Sequence, residues 1–475
     1  MLRAFFLSCL VLLCSSLLQA QEAYTEHKVR WMENIHTIAR KYKVDVNLLL
    51  DYNQISAEDV KRGRILRIPT APSPEKKKSD EDLFADPPDE ITPGPFNPDD
   101  CANYQPYVGI THRVSLILPL KLYEIPANSY FMDFYQGVLL AAQDMKEQGM
   151  GLRLQVFDIE STPVSILAHS PELRQEELII GPAYAKNLLP FIQDHGNQTL
   201  IVSPLDPQTE AAVEGNPRFF QVSPSPASLQ RNLLQYVHAS EGKVWLMYDA
   251  DVPLADAEWL RITRECLEQM GIPYSEFTHR VNVNIVNTLR ALFAPYTHNQ
   301  VIVSSGNKAF VSDLLRNLHS VHNAKDSPIS LFGDARWRNF EDIDLDYFHN
   351  MNLRLSLPHY VDYQREDLRH FLARYRGLYH TDPSLSAFQG YDVALYFLRA
   401  LYTKGPSFEY CLSETEKYAQ PLQSPLHFQR LKEGSGFVNT QARVIQYLPD
   451  YSIKVLGQPS TEQSMLSTER SILYR

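Results

Sequence analysis

The sequence has no basic surplus, no second long apolar run, and no cysteine spacing that would build a metal or redox motif. Its 475 residues carry 45 Lys and Arg against 56 Asp and Glu, a net charge of −11. A nucleic-acid binder needs a basic face for its phosphate contacts, so nucleic acid is not expected as a partner. Mean hydropathy is −0.29 and the one apolar run lies at the extreme N-terminus, which argues against a polytopic membrane protein. No CxxC occurs among the five cysteines, so cysteine-based zinc or thioredoxin chemistry has no support. GxGxxG, GxxxxGK[ST], GxSxG and HExxH are likewise missing, and neither a cofactor nor a metal is implied.

What is present is globular: 44% hydrophobic and 21% charged residues, in a chain long enough for about three domains. Met1-Leu2-Arg3 supplies one positive charge ahead of the apolar stretch Ala4 to Leu13, and Leu18-Gln19-Ala20 ends in a small residue. This pattern predicts a secretory signal peptide over 1–20 and a protein of the periplasm or cell envelope. A lipoprotein attached through Cys14 and an uncleaved anchor are the alternatives. After removal of the signal, Cys101, Cys266 and Cys411 remain. Cys266 lies in an expected helix with Trp259, Leu260, Thr263, Leu267 and Met270 at helical spacing, which predicts a buried unpaired thiol. Cys101 and Cys411 both fall in predicted loops and form the candidate disulfide.

Residues 71–100 contain seven Pro and nine Asp or Glu but only three Lys, which reads as a disordered spacer. Residues 24–70 and 101–458 are the folded parts, and 459–475 reads as a polar tail. In the first part, His27 to Val29 reads as a strand and Ile35, Ile38, Ala39 and Tyr42 lie on one helical face. Leu48, Leu49 and Tyr52 mark a second helix, and Ile65 to Pro69 a closing strand. The spacing of Val29, Ile35, Ile38-Ala39, Tyr42, Val44, Leu49, Asn53-Gln54-Ile55, Val60, Gly63, Leu66, Ile68 and Pro69 resembles the LysM family throughout the module. The resemblance implies binding to N-acetylglucosamine-containing strands, chiefly peptidoglycan. It places the glycan groove at Met32, Glu33, Asn34 and Ile35 and at Ile55, Ser56 and Ala57. The family's usual Gly in the first loop is replaced by Met32.

The larger part alternates short apolar runs with amphipathic stretches, a pattern of βαβ units. Strands are expected at 114–120, 152–157, 177–180, 199–202, 243–248, 300–303 and 329–332. Helices are expected at 131–147, 226–238, 255–270, 307–319, 364–378 and 391–403. The fold class is therefore α/β: a small βααβ module followed by a two-lobed unit with parallel sheets. Leu118-Pro119-Leu120, Tyr135-Gln136-Gly137, Ile180-Gly181-Pro182, Val202-Ser203-Pro204, Arg218 to Val222 and Gly390-Tyr391-Asp392 resemble, in order and spacing, the type I periplasmic binding proteins of the leucine/isoleucine/valine-binding class. That resemblance implies lobe one over 113–223 and 360–425, and lobe two over 224–355 and 426–456. It sets Cys101 and Cys411 beside the same lobe and reads Gly390 as a helix start.

Ligands of open α/β sheets sit beyond the carboxyl ends of the strands. The cleft candidates are therefore Gly181, Pro182, Ala183, Tyr184, Ser203 and Leu205 in lobe one, and Tyr248, Ser304, Ser305, Gly306 and the stretch Asp334 to Trp337 in lobe two. Tyr360 is added from the aromatic run 359–363, where hinge packing is the alternative. An amino acid is disfavoured because Pro182 to Ala185 offers no small hydroxyl and Asp206 is acidic. A peptide, muropeptide or sugar fragment, or no small ligand and a docked envelope protein, are the other possibilities. The fold also resembles the lipoprotein that activates penicillin-binding synthases.

Catalytic patterns are weak. Ser305-x-x-Lys308 lacks its partner motifs, His319 and His322 lack a third ligand, and Asp342, Asp344 and Asp346 lack the remainder of a calcium loop. The expected function is non-enzymatic: peptidoglycan binding together with reception of a small ligand or a partner. A transporter substrate-binding protein, a peptidoglycan hydrolase and a regulator of cell-wall synthases are the rivals.

Overall fold

A computed structural model describes residues 24–29, 35–42, 44, 46–55, 60–61, 63–69, 101, 110–122, 128–195, 198–293, 297–323, 327–416 and 421–457. The expected signal, linker and tail lie outside them. The chain falls into two units, 1–95 and 96–475.

In the first unit, β1 (Tyr24–Lys28) pairs antiparallel with β2 (Ile65–Pro69), and α1 (Ile35–Tyr42) and α2 (Val46–Asn53) lie between them in sequence. Along β2 the side chains alternate: Leu66 and Ile68 are buried, whereas Ile65 and Arg67 are exposed. Val29, Ile35, Ile38, Ala39 and Leu49 complete the core. The Asn53 amide ties the end of α2 to β2. It donates to Leu49 O and Arg67 O, each at 2.8 Å, and accepts from Arg67 N at 2.7 Å. Gly63 takes φ +91° and sends its N–H to Val29 O, a left-handed turn that a side chain disfavours.

In the second unit the strands are β3 (Thr111–Leu118), β4 (Gly151–Asp158), β5 (Leu178–Ile180), β6 (Leu200–Ser203), β7 (Phe219–Gln221), β8 (Lys243–Asp249), β9 (Ser275–His279), β10 (Asn299–Val303), β11 (Ile329–Gly333), β12 (Arg354–Leu357), β13 (Phe428–Arg430), β14 (Phe437–Asn439), β15 (Arg443–Tyr447) and β16 (Ile453–Leu456). They form two seven-stranded sheets, ordered β13-β14-β7-β6-β5-β3-β4 and β16-β15-β12-β11-β10-β8-β9. Pairing is parallel except at one margin of each sheet, where β13 meets β14 and where β15 meets β12 and β16. Apolar residues fill both faces of the central strands. On β3, Leu116 and Leu118 join one core and Ile117 another, as a sheet covered on both sides requires.

The longer helices are α3 (Ser129–Glu147), α4 (Pro226–Leu234), α5 (Leu254–Gln269), α6 (Lys308–His322), α7 (Glu366–Tyr379) and α8 (Leu385–Lys404). Helices α3 and α8 run side by side over the first sheet. A Cβ on Gly137 would lie 2.0 Å from Ala387 O, and one on Gly390 would lie 2.0 Å from Phe134 O. Gly390 is thus inside α8, five residues past its start, and not at the helix start expected for it.

The lobe boundary also needs correction. Residues 428–439 were expected in lobe two, but β14 pairs with β7 and extends the first sheet. The chain therefore returns to the second lobe only at β15. The reason is topological: β13 and β14 are three residues each, too short to carry a periodicity that assigns them to a sheet. Cys101 and Cys411 are joined, with Cα atoms 5.4 Å apart, and Cys266 is a buried unpaired thiol.

Candidate binding surfaces

In the first unit, two of the proposed groove residues are described. Ile35 is only 3% exposed, so its side chain supports the module from within and offers no surface to a glycan. Ile55 is half-buried and packs against the same core. Met32, Glu33, Asn34, Ser56 and Ala57 lie outside the described residues.

In lobe one the strand ends are shaped mostly by backbone. Gly181 has φ +108°, and a Cβ there would lie 2.2 Å from Ile117 O. Its N–H donates to Val202 O at 2.7 Å. Ala183 is fully buried in the core. Tyr184 is exposed; its ring meets Phe131 edge-on at 5.8 Å and has the Lys186 ammonium 5.8 Å from its centre. Leu205 is half-buried against the core, and its carbonyl accepts from Ser223 Oγ at 2.7 Å. Asp206, expected to repel a carboxylate, accepts instead from Ala185 N and Gln208 N, each at 2.8 Å. Asp158 organises the neighbouring turn by accepting from Leu120 N, Leu122 N and Glu160 N. Burial pushes its pKa up, but bonds from Leu122, Glu160, Ser161 and Lys121 outweigh this and hold it below the usual value.

Lobe two brings four candidates into one network. Ser305 Oγ donates to Asp256 Oδ2 at 2.6 Å, and Gly306 N donates to both oxygens of the same carboxylate at 3.1 Å. Arg336 bonds both oxygens of Asp334, through Nε at 2.9 Å and Nη2 at 2.7 Å, and reaches Asp256 at 3.1 Å. Trp337 is fully buried, and its Nε1 donates to Ser305 O at 2.8 Å. The glycines make room for this filling. A Cβ on Gly306 would lie 1.9 Å from the Arg336 guanidinium carbon, and one on Gly333 would lie 2.5 Å from the Trp337 ring. The hydrogen bonds that Arg336 donates to Asp334 raise its pKa. Asp256 was not singled out from sequence, and Arg336 fell within the stretch 334–337 without a partner assigned to it. Asp256, an acid in the first turn of a helix, has the pattern of ordinary helix-dipole pairing.

Three candidates stand apart from this network. Tyr248 donates to Glu276 Oε2 at 2.6 Å and lies under Arg264, whose guanidinium is 5.0 Å from its ring centre. Tyr360 packs half-buried on the second core, 5.5 Å from the Arg338 guanidinium, and its N–H points to Gln423 O. Its contacts are therefore packing contacts at the passage between the lobes. Ser304 Oγ, like Ser203 Oγ, is buried and has no hydrogen-bond partner among the described residues.

The weak catalytic patterns dissolve into structural contacts. Lys308 pairs with Asp342 while Ser305 faces Asp256, so no Ser–Lys dyad forms. His322 Nδ1 accepts from Ile329 N at 3.1 Å, and burial lowers its pKa. Asp344 caps the short helix 345–350 by accepting from Asp346 N. A hollow of about 280 Å³ lined by Arg399, Thr403, Lys404, Glu414 and Thr415 sits at the C-terminal end of α8, the end opposite the strand carboxyl termini.

The two seven-stranded, mainly parallel sheets give the second unit the fold of type I periplasmic binding proteins. A protein from Rhodospirillum rubrum described as a branched-chain amino acid ABC transporter shares it, at 14% identity over 73% of this chain and 100% of its own, with a TM-score of 0.53. An ABC transporter substrate-binding protein from Desulfitobacterium hafniense in complex with Leu aligns at 16% identity over 73% and 100%, TM-score 0.44. Full-length LpoA from Haemophilus influenzae aligns at 12% over 74% and 60%, TM-score 0.48. In the first unit, residues 27–69 match the LysM domain family. No curated protein matches the chain.

Proposed function

We propose that this is an exported, non-enzymatic envelope protein whose LysM module binds peptidoglycan and whose two-lobed body serves as a docking platform for an envelope partner. The single observation that favours docking over amino-acid carriage is the filled wall of lobe two. Arg336 and Trp337 occupy the space at Gly306 and Gly333, and Asp256 and Asp334 already have their charge partner. A ligand at that wall displaces a neutralising guanidinium and strands buried carboxylates, which is costly. A second reading, a small peptide or muropeptide held at the strand ends, is favoured by the unpartnered hydroxyls of Ser203 and Ser304.

The test is co-sedimentation of the mature protein, and of residues 101–475 alone, with insoluble peptidoglycan, followed by mass analysis of the soluble fraction. Only the LysM-containing protein is expected to sediment, with no fragments released. Sedimentation of neither form rejects wall binding; released muropeptides reveal a hydrolase.

A further inference from the structure

The chain passes between the lobes three times; the second and third passages are hydrogen-bonded to one short segment, residues 421–427, and the first is linked to it through the side chain of Asn439. At the first passage, the Asn439 amide donates to Val222 O at 3.0 Å and to Pro425 O at 3.1 Å, so one side chain joins passage and segment. At the second, Ser424 Oγ donates to Pro358 O, His359 Nδ1 lies 3.1 Å from the same hydroxyl, and Tyr360 N donates to Gln423 O at 3.4 Å. At the third, Arg443 Nε donates to Gln423 O at 2.7 Å and Thr440 N donates to His427 O at 2.9 Å. From lobe two, Asn232 on α4 donates to Thr440 O at 2.7 Å.

The segment is itself fixed to lobe one. Asp392 on α8 accepts from Leu422 N and Gln423 N, each at 2.7 Å, and Arg365 Nη1 donates to Pro421 O at 2.7 Å. Gln423 is wholly buried and bonds Gln389, which in turn bonds Pro204 O beyond β6. Arg443 is 6% exposed, so rotation of the second sheet away from Gln423 O leaves a buried guanidinium without that acceptor. A hinge needs a few residues free to change their backbone angles. Here those residues are tied to a common anchor.

We propose that residues 421–427 form a strap that locks the two lobes in one relative orientation, with Arg443 as the bolt from the second sheet. The body is then a rigid platform and not a clamp that closes on a ligand. This deepens the docking reading and rests on it for its purpose, whereas the strap itself is argued from hydrogen bonds within the body alone.

The experiment is double electron–electron resonance on the full mature chain, with spin labels at Ile166→Cys in lobe one and Leu345→Cys in lobe two, both exposed sites. The strap predicts one narrow interlobe distance, unchanged by excess free leucine. Arg443→Met is expected to broaden the distribution at least twofold, and the milder Asn232→Ala to broaden it less. Circular dichroism confirms that each variant is folded. Two populated distances in the parent protein, or a shift on adding leucine, overturns the strap. A folded Arg443→Met or Asn232→Ala that keeps the parent's narrow distribution also overturns it. Loss of peptidoglycan co-sedimentation leaves these distances unaffected, so failure of wall binding and failure of the strap are separately visible.

Discussion

A carboxylate enclosed by protein loses its hydration, and Asp392 is such a group. Burial raises its pKa from 3.8 to about 6, against the lowering effect of the N–H groups of Leu422, Gln423 and Ser424 and of Arg443. The native state therefore holds the proton more tightly than the unfolded chain. This contribution is fully present below pH 4 and is lost as the pH rises through 6, a change of about 3 kcal/mol at most. Other carboxylates titrate in the same range, so the informative quantity is a difference. The melting temperature of the parent minus that of Asp392→Asn is expected to be largest near pH 4 and to shrink by pH 7. A difference independent of pH rejects the raised pKa. The strand-end rule named Ser305, Gly306, Asp334 and Trp337 from sequence because it needs only the position of each strand, and the structure joins them in one hydrogen-bonded network. It missed Asp256, and with it the pairing to Arg336, because their meeting joins residues 80 apart, and no local pattern encodes that.

At the scale of elements, the contact between α3 and α8 opposes an ordinary propensity. Alanine is a better helix former than glycine by about 1 kcal/mol, so propensity alone predicts that Gly390→Ala stabilises the protein. The structure predicts the reverse, because the added methyl meets the Phe134 carbonyl, a backbone atom that can move only with its helix. Overpacking of this sort costs about 1–3 kcal/mol and sometimes more. A net loss of about 1–2 kcal/mol in urea unfolding is expected, and a gain rejects the close contact. The same residue shows why sequence misplaced the start of α8: glycine signals a helix end locally, and its packing reason comes from another helix. The strands β3, β5, β6, β8, β10 and β11 were legible because burial on both faces produces continuous apolar runs, whereas the interior strands β7 and β12, three and four residues long, were not among those expected. The edge strand β9, Ser-Glu-Phe-Thr-His, has one exposed edge and mostly exposed side chains, so it carries no such run.

For the whole molecule, composition placed a spacer at 71–100, and the division between the two units at 95/96 falls inside it. The Cys101–Cys411 bridge spans 310 residues of the second unit, and Lys404 adds a hydrogen bond to Cys101 O. A cross-link of this kind limits the unfolded chain and contributes about 2–4 kcal/mol. With an unfolding entropy of about 2 cal/mol/K per residue, a body of this size loses about 3–5 °C of melting temperature when the bridge is reduced. The LysM unit has no cysteine in its matched residues 27–69, so its transition has no reason to move. Calorimetry of the mature chain is therefore expected to show two transitions, with reductant lowering only the one that belongs to the body. The Cys411→Ser variant should reproduce that shift without reductant and co-sediment with peptidoglycan as the parent does. If reduction moves both transitions together, the units unfold as one, and wall binding and the state of the body are coupled through the chain between them.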